Sequence, residues 1–330
     1  MGPPPMFTAK FQYLDGRYKD AKVALRSVAE EGGKRGDSVG FEVPVFDGRV
    51  DKLQSTAQLE RRGFCLATLT NEEYSLANKI DTTRLEQEPG RRNAYFQTIE
   101  HCVQRINGAV YVRAFNYVNR NSTSDTFGVH TLANSATAAR GPVNDVHCDF
   151  AHDRALTVRQ VKGLRAALGL DECRFTLMNC WRNTVQGSPV VHWPMAFCDI
   201  STIRPNDLVP RVSPENGNTI YNLLKNQMHE WYTFPMVTDR EILLFRQYDT
   251  ESHVPTPHTA FDSPQTPIGA PSRYSCEVRC ACFFADDERV RTDKSMREVL
   301  LALQRSGKGT VRPGLVGKED DDGAGVVAKL

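Results

Sequence analysis

The chain lacks the features that would assign it to a membrane or to a nucleic acid. It has no run of apolar residues near the roughly 20 that cross a bilayer as a helix, so no membrane partner is expected. Lys plus Arg number 41 and Asp plus Glu number 40. This balance gives no reason to expect the concentrated basic surface that binds nucleic acid. The start of the chain shows no charged and apolar secretory signal, so we expect a cytoplasmic protein.

The nine cysteines lack the regular spacing of a disulfide framework. They indicate buried thiols in a reducing compartment. Only Cys276, Cys280 and Cys282 are close together, and their even spacing places them on one face of a strand. A zinc site there would need a second group of ligands, which the sequence does not show. We therefore expect three small core residues.

Short strand-like runs predict a mainly β fold with flanking helices (α+β). Strand patterns occur at 7–14, 41–46, 110–117, 174–182, 195–200, 229–236, 241–248 and 274–284. Helical patterns occur at 70–80, 93–106, 157–168 and about 293–305, and a long polar loop is expected at 120–142. Strands separated in this way by Pro, Asn and Gly clusters indicate a sandwich or barrel. We expect one domain over residues 1–306 and a flexible tail over 307–330.

A candidate metal site begins at His147-Cys148-Asp149, where an H-x-D pattern puts two ligands on one side of an extended segment. A second histidine would complete a 2-His-1-carboxylate set, which leaves positions open on iron(II) for a co-substrate and oxygen. His258, which precedes a Pro-rich loop, is the candidate for that ligand. An isolated H-x-D is a weak signal, because a surface turn can contain it by chance.

The strand predicted after Arg273 has one polar face and one apolar face. Alternation places Arg273, Ser275, Glu277 and Arg279 together. Two guanidinium groups and a hydroxyl turned inward would suit a dicarboxylate. The alternative is a solvated outer face on which Glu277 pairs with an arginine.

Several segments that occur in order carry a resemblance to a known family. They are Asn179-Cys180-Trp181-Arg182, Met195-Ala196-Phe197-Cys198-Asp199, Trp231-Tyr232-Thr233-Phe234-Pro235, Gln247-Tyr248-Asp249, Pro257-His258-Thr259-Ala260-Phe261 and Arg273-Tyr274-Ser275-Cys276-Glu277-Val278-Arg279. Together, over roughly residues 105–285, the chain resembles the hydroxylase/desaturase family of fungal secondary metabolism. That family is related to a gibberellin desaturase and to the cephamycin 7α-methoxylase component.

The resemblance implies a double-stranded β-helix (jelly-roll) core and an oxygenase that depends on iron(II) and 2-oxoglutarate. His147, Asp149 and His258 would be the metal ligands and catalytic centre. Arg273 or Arg279, with Ser275, would bind 2-oxoglutarate, and the sequence does not choose between the two arginines. Asn179, Trp181 and Arg182 would border the substrate pocket, although packing is an equal role for Trp181.

The implied reaction uses O2 and removes a hydrogen atom from a small natural-product intermediate, which it hydroxylates, desaturates or cyclises. Two alternatives remain open at this point. The first is an iron oxidase that does not use 2-oxoglutarate. The second is a jelly-roll protein without catalysis of its own, or a helper subunit of a two-component methoxylation system. The sequence does not identify the substrate or the oligomeric state.

The last three residues, Ala328-Lys329-Leu330, resemble a peroxisomal address of the Ser-Lys-Leu type. The peroxisomal matrix is therefore the alternative to the cytoplasm.

Overall fold

The computed structural model describes residues 4–20, 37–53, 56–123, 140–151, 158, 162, 173–212, 219–252 and 254–284. Its helices are α1 (Thr56–Arg62), α2 (Asn71–Asn78) and α3 (Pro89–Asn107). Its strands are β1 (Phe7–Leu14), β2 (Ser38–Asp47), β3 (Phe64–Thr68), β4 (Tyr111–Asn121), β5 (His147–Cys148), β6 (Arg174–Asn183), β7 (Met195–Cys198), β8 (Leu208–Val212), β9 (Thr219–Leu223), β10 (Trp231–Thr233), β11 (Glu241–Asp249), β12 (His258–Ala260) and β13 (Tyr274–Phe284).

The strands form two sheets. An eight-stranded sheet has the order β1-β2-β10-β7-β12-β5-β9-β8, and a five-stranded sheet has the order β3-β11-β6-β13-β4. Apolar side chains from facing strands fill the space between them, among them Trp181 and Phe245 of the five-stranded sheet and Phe197 of the eight-stranded sheet. We call the side of the five-stranded sheet that faces this space its inner face. The mainly β jelly-roll prediction is confirmed.

The helices cover the outer face of the five-stranded sheet. Helix α2 begins with a capping box, in which the Thr70 hydroxyl accepts from the Glu73 amide and the Glu73 carboxylate accepts from the Thr70 amide. Helix α3 ends at Asn107, and its C-cap residue Gly108 has a φ of 72°, in the left-handed region that favours glycine. Ile99 and Val103 of α3 pack into the same core cluster as Cys276, Cys280 and Cys282. The prediction that these three cysteines are core residues is therefore confirmed, and all nine cysteines, each of which is described, are buried and outside any disulfide.

Most predicted strands occur within two or three residues of their expected bounds, and the helices expected at 70–80 and 93–106 are α2 and α3. The strand expected at 195–200 ends at Cys198, because Asp199 caps a single 3-10 turn and its side chain accepts from the Ser201 amide. The strand expected at 229–236 contains only β10. Strand β4 extends to Asn121, into the loop expected at 120–142.

Other predictions fall on residues that are not described. The helices expected at 157–168 and 293–305 and the tail at 307–330 lie outside the described residues, apart from the isolated Val158 and Lys162. The single domain over 1–306 stays a prediction. In the described part of the chain, no helix has the length and apolar content to span a membrane.

Candidate metal centre and co-substrate site

Strand pairing brings the two candidate histidine ligands together. His147 on β5 and His258 on β12 are directly opposite each other in the eight-stranded sheet. Side chains at directly opposite positions point to the same face, and the two imidazole rings are 4.2 Å apart between centroids. Asp149 follows His147 by two residues. Ligand atoms of all three residues lie within 4.8 Å of one another, and all three side chains are buried.

Main-chain carbonyls hold both imidazoles by the same ring nitrogen. His147 Nδ1 is 2.7 Å from the carbonyl oxygen of Asp145. His258 Nδ1 is 3.2 Å from the carbonyl oxygen of Thr256. A carbonyl can only accept, so Nδ1 carries the proton on each ring and Nε2 carries the lone pair. This tautomer is the one that a metal ligated through Nε2 requires.

The Asp149 carboxylate is fixed through one of its two oxygens. Asn179 Nδ2 donates to Oδ2 at 2.6 Å, and Arg279 Nη2 donates to the same oxygen at 3.0 Å. The other oxygen, Oδ1, is 3.7 Å from His147 Nε2. Burial alone would raise the pKa of Asp149. The nearby positive charge of Arg279, with the histidines and the Asn179 hydrogen bond, holds that pKa well below its usual range.

These side chains fit a divalent metal ion of the iron(II) type. Burial lowers the pKa of His258, although Asp149 opposes the shift, so its imidazole is neutral and able to ligate. Two neutral imidazoles and one carboxylate on one side of a site are the ligand set of non-haem iron(II) oxygenases. In the described residues this is the only group of three or more such ligands. We refer to His147, Asp149 and His258 as the triad.

The polar face of β13 is buried and belongs to the inner face of the sheet. Arg273 is 2% exposed, and Ser275, Glu277 and Arg279 are 3%, 7% and 4% exposed. The alternative of a solvated outer face is therefore wrong. Glu277 does pair with Arg279, at 3.3 Å, but inside the protein. Burial beside Asp149 raises the pKa of Glu277 to about 6, which the neighbouring arginines oppose.

The two candidate arginines differ in their partners. Arg279 is committed to the metal centre, because its Nη2 contacts both Asp149 and Glu277. Arg273 has no carboxylate within 4.0 Å among the described residues, and its Nε and Nη2 have no hydrogen-bond partner. Burial, with the charge of Arg120, lowers the pKa of Arg273 to about 9. A buried cation whose N–H groups meet no acceptor among the described residues has the chemistry to bind an anion.

The rest of the Arg273 side chain is held in place. Its Nη1 donates to the carbonyl of Trp193, a residue with a φ of 52° in the left-handed region. Its guanidinium lies over the Trp181 ring, 5.5 Å from the centroid. The Arg273 amide donates to the Ser122 hydroxyl at 2.8 Å, and that hydroxyl is 2.9 Å from His192 Nδ1.

The three residues expected to border the substrate pocket do not lie together. Asn179 and Trp181 are on the inner face of β6, where Asn179 holds Asp149 and Trp181 belongs to the core between the sheets. Trp181 Nε1 has no hydrogen-bond partner among the described residues. Alternation turns Arg182 to the opposite face, where its Nε donates to the Asp239 carbonyl at 3.3 Å. The structure therefore places Arg182 away from the triad.

Sequence reasoning gave no role to two residues that contact the centre. Gln247 accepts a hydrogen bond from the Asp149 amide at 2.7 Å. The Phe245 ring lies 4.7 Å from that of His258 and covers one side of it. The available signal for Gln247 was a single uncharged polar residue near the end of the apolar run of β11.

Comparison with known proteins identifies relatives of this chain. A family model described as an oxidoreductase/YMDC permease-like domain matches residues 12–283. The Fe(II)/2-oxoglutarate-dependent dioxygenase nvfI of Aspergillus novofumigatus is 30% identical over 213 residues, which cover 62% of this chain and 71% of that protein. The hydroxylase/desaturase CTB9 of Cercospora beticola is 24% identical over 322 residues, which cover 86% and 93%.

A solved structure shows the same fold. The iron and alpha-ketoglutarate-dependent endoperoxidase NvfI superposes with a TM-score of 0.62 at 23% identity, over 86% of this chain and 99% of that one. Three findings indicate the same family, namely the length of the matched segment, the jelly-roll fold and the buried triad. The chain belongs to the oxidoreductase family of the fungal Fe(II)/2-oxoglutarate-dependent dioxygenases and hydroxylase/desaturases.

Proposed function

We propose that the chain is an Fe(II)/2-oxoglutarate-dependent oxygenase that removes a hydrogen atom from a small natural-product intermediate. The reaction ends in a hydroxyl group, a double bond or a new ring. The proposal rests on two features that lie in the same interior between the sheets. They are the buried triad and the N–H groups of Arg273 that have no partner among the described residues. The names of the dioxygenase nvfI and of the solved NvfI structure include both iron and 2-oxoglutarate (alpha-ketoglutarate).

His147 and His258 would ligate iron(II) through Nε2, and Asp149 would ligate it through Oδ1. Iron(II) bound there would supply the chemistry that couples the oxidation of 2-oxoglutarate by O2, to succinate and CO2, to the cleavage of a C–H bond of the substrate. Asn179 and Arg279 hold the other carboxylate oxygen and keep Asp149 ionised. The carbonyls of Asp145 and Thr256 keep both rings in the ligating tautomer.

Arg273 would bind the carboxylate of 2-oxoglutarate that is remote from the metal. Its Nε and Nη2 can donate two parallel hydrogen bonds to one carboxylate. Ser275, two residues along the same face, has a buried hydroxyl that no described residue hydrogen-bonds, and this hydroxyl would donate a third hydrogen bond. The carboxylate would also neutralise the buried guanidinium charge of Arg273, which forms no ion pair with a described residue.

The apolar side chains around the centre exclude water and confine the substrate. The Phe245 ring packs against the His258 ring, and the Phe197 ring is tilted against that of Phe245, with 5.0 Å between their centroids. The indole N–H of Trp181, beside Arg273, has no partner among the described residues and would be available to donate to an oxygen atom of the substrate. Apolar surroundings of this kind would direct the oxidising power to the bound carbon atom.

The test is the release of succinate from 2-oxoglutarate in the presence of Fe(II), O2 and an extract of candidate intermediates. Release by the wild type and its loss in His147→Ala and Asp149→Ala support the proposal. Release that persists in either variant would contradict the triad.

The oxidase that does not use 2-oxoglutarate is tested by Arg273→Met alone. Arg279 is unsuitable for this purpose, because its replacement also disturbs Asp149. Substrate oxidation by Arg273→Met at the wild-type rate without 2-oxoglutarate would favour the oxidase. Dependence on 2-oxoglutarate, with a higher KM for it, would favour the oxygenase.

A further inference from the structure

Gln247 occupies an irregular position in β11. Between Arg246 and Tyr248 the register of β11 with β6 shifts, because Met178 and Leu177, which are consecutive, pair with residues two apart. Gln247 is therefore the extra residue of a β-bulge. A bulge of this kind lets consecutive side chains share a face, and it commonly re-aims a side chain beside an active site. Tyr248 packs with Leu177 on the inner side, and Gln247 is fully buried at 0% exposure.

The amide of Gln247 connects this sheet to the two segments that carry the triad. Its Oε1 accepts from the main-chain N–H of Asp149 at 2.7 Å. Its Nε2 donates to the main-chain carbonyl of Thr256 at 2.8 Å. The same carbonyl oxygen is the partner of His258 Nδ1 at 3.2 Å. One side chain therefore contacts the backbone of one ligand and the hydrogen-bond partner of another.

We infer that Gln247 is a positioning residue that sets the separation of Asp149 and His258 and so tunes iron binding. The inference rests on the proposed function. Only an amide satisfies both contacts, because the Asp149 amide needs an acceptor and the Thr256 carbonyl needs a donor. An apolar side chain would remove the Gln247 acceptor from the buried Asp149 amide, and it would remove one of the two donors to the Thr256 carbonyl, which would keep its contact with His258 Nδ1. Groups that orient ligands in this way typically change metal affinity by about 10- to 100-fold when they are replaced.

Asn183 provides a matched control. It is also a buried amide of the five-stranded sheet, at 1% exposure, and it also links main-chain groups. Its Nδ2 donates to the carbonyl of Ser188 at 2.7 Å, and its Oδ1 accepts from the Val185 amide at 3.0 Å. Asn183→Leu therefore removes comparable hydrogen bonds without a contact to any triad residue, and it measures the general effect of losing a buried amide.

The experiment is an anaerobic titration of the metal-free full chain with Fe(II), for the wild type, Gln247→Leu and Asn183→Leu. A second reading at saturating Fe(II) and 2-oxoglutarate records the position of the visible charge-transfer band. We expect the Kd for Fe(II) to rise about 10- to 100-fold in Gln247→Leu, with a displaced band. We expect the Kd and the band of Asn183→Leu to match the wild type.

Equal Kd values and equal bands in the two leucine variants would overturn the inference and leave the proposed function intact. A wild-type chain that binds no Fe(II) would instead refute the proposed function. If Gln247→Leu does not fold, Gln247→Glu takes its place, because it retains an acceptor for the Asp149 amide and lacks the donor to Thr256. The same rise in Kd is expected, and an unchanged Kd would again overturn the inference.

Discussion

Arg279 donates to Asp149 at 3.0 Å, through the same Nη2 that contacts Glu277. This ion pair distinguishes Arg279 from Arg273, although the two arginines share one face of a strand. Arg279 is beside the metal centre, and Arg273, six residues earlier in the chain, is in a region with no carboxylate partner among the described residues.

Replacement of Arg279 should therefore affect metal binding, and replacement of Arg273 should affect co-substrate binding. In Arg279→Met, loss of the cation next to Asp149 should weaken Fe(II) binding by about 10- to 100-fold. In Arg273→Met, Fe(II) binding should be unchanged and the Kd for 2-oxoglutarate should rise by roughly 10- to 150-fold, because a hydrogen bond to a charged group contributes about 1.5–3 kcal/mol. Anaerobic titrations measure both constants.

Arg182→Met is the control for this pair, because Arg182 is as buried as Arg273 but lies on the opposite face of the sheet. It should lose stability and keep both constants. The assignment of the two arginines fails if Arg279→Met weakens 2-oxoglutarate binding more than Arg273→Met does.

Glu100 on α3 should make stability depend on pH. Burial raises its pKa from 4.5 to about 7, although the Ala114 amide and Arg113 oppose the shift. The folded state therefore favours the protonated carboxyl group, so the stabilisation is complete below about pH 4.5 and is lost as pH rises through about 7. A pKa shift of this size corresponds to a change of roughly 3 kcal/mol in the free energy of unfolding.

Urea unfolding of the metal-free chain at pH 5 and pH 8 tests this expectation. The free energy of unfolding should fall less over this interval in Glu100→Gln than in the wild type. Glu72→Gln, at an exposed position on α2, is the control and should behave like the wild type. An identical change in the wild type and Glu100→Gln would show that Glu100 does not contribute.

Localisation stays a prediction. We expect a chain tagged at its N-terminus to be diffuse in the cytoplasm of a fungal cell. A punctate signal that becomes diffuse when Leu330 is deleted would contradict this and would support delivery to peroxisomes through Ala328-Lys329-Leu330. Deletion of Met1 in the same tagged chain controls for a general effect of truncation.

The local periodicity of the sequence was sufficient to predict part of the candidate site. The period of two along a strand put His147 and Asp149 on one side, and it grouped Arg273, Ser275 and Arg279 on a face that the structure buries. The same rule separates Arg182 from Trp181, because neighbouring residues of a strand point to opposite faces. Grouping all of Asn179, Trp181 and Arg182 in one pocket was inconsistent with that rule.

Long-range pairing could not be predicted in the same way. Strands β5 and β12 contain two and three residues, too few for a pattern, and their pairing depends on the rest of the sheet. The bulge at Gln247 is a shift in register between β11 and β6, and no local feature of the sequence marks it. Hydrogen-bond partners such as the Thr256 carbonyl are backbone atoms, and every residue type has the same backbone carbonyl, so the sequence does not indicate them.

The most direct test of the central claim is an anaerobic titration of the metal-free chain with Fe(II) and then with 2-oxoglutarate, followed by visible absorption. The account predicts a charge-transfer band of chelated co-substrate in the wild type and in Arg182→Met. It predicts no band in Asp149→Ala, and in Arg273→Met a band that appears only at higher 2-oxoglutarate concentration. A wild-type chain that binds Fe(II) without the band, or that binds no Fe(II), would contradict it.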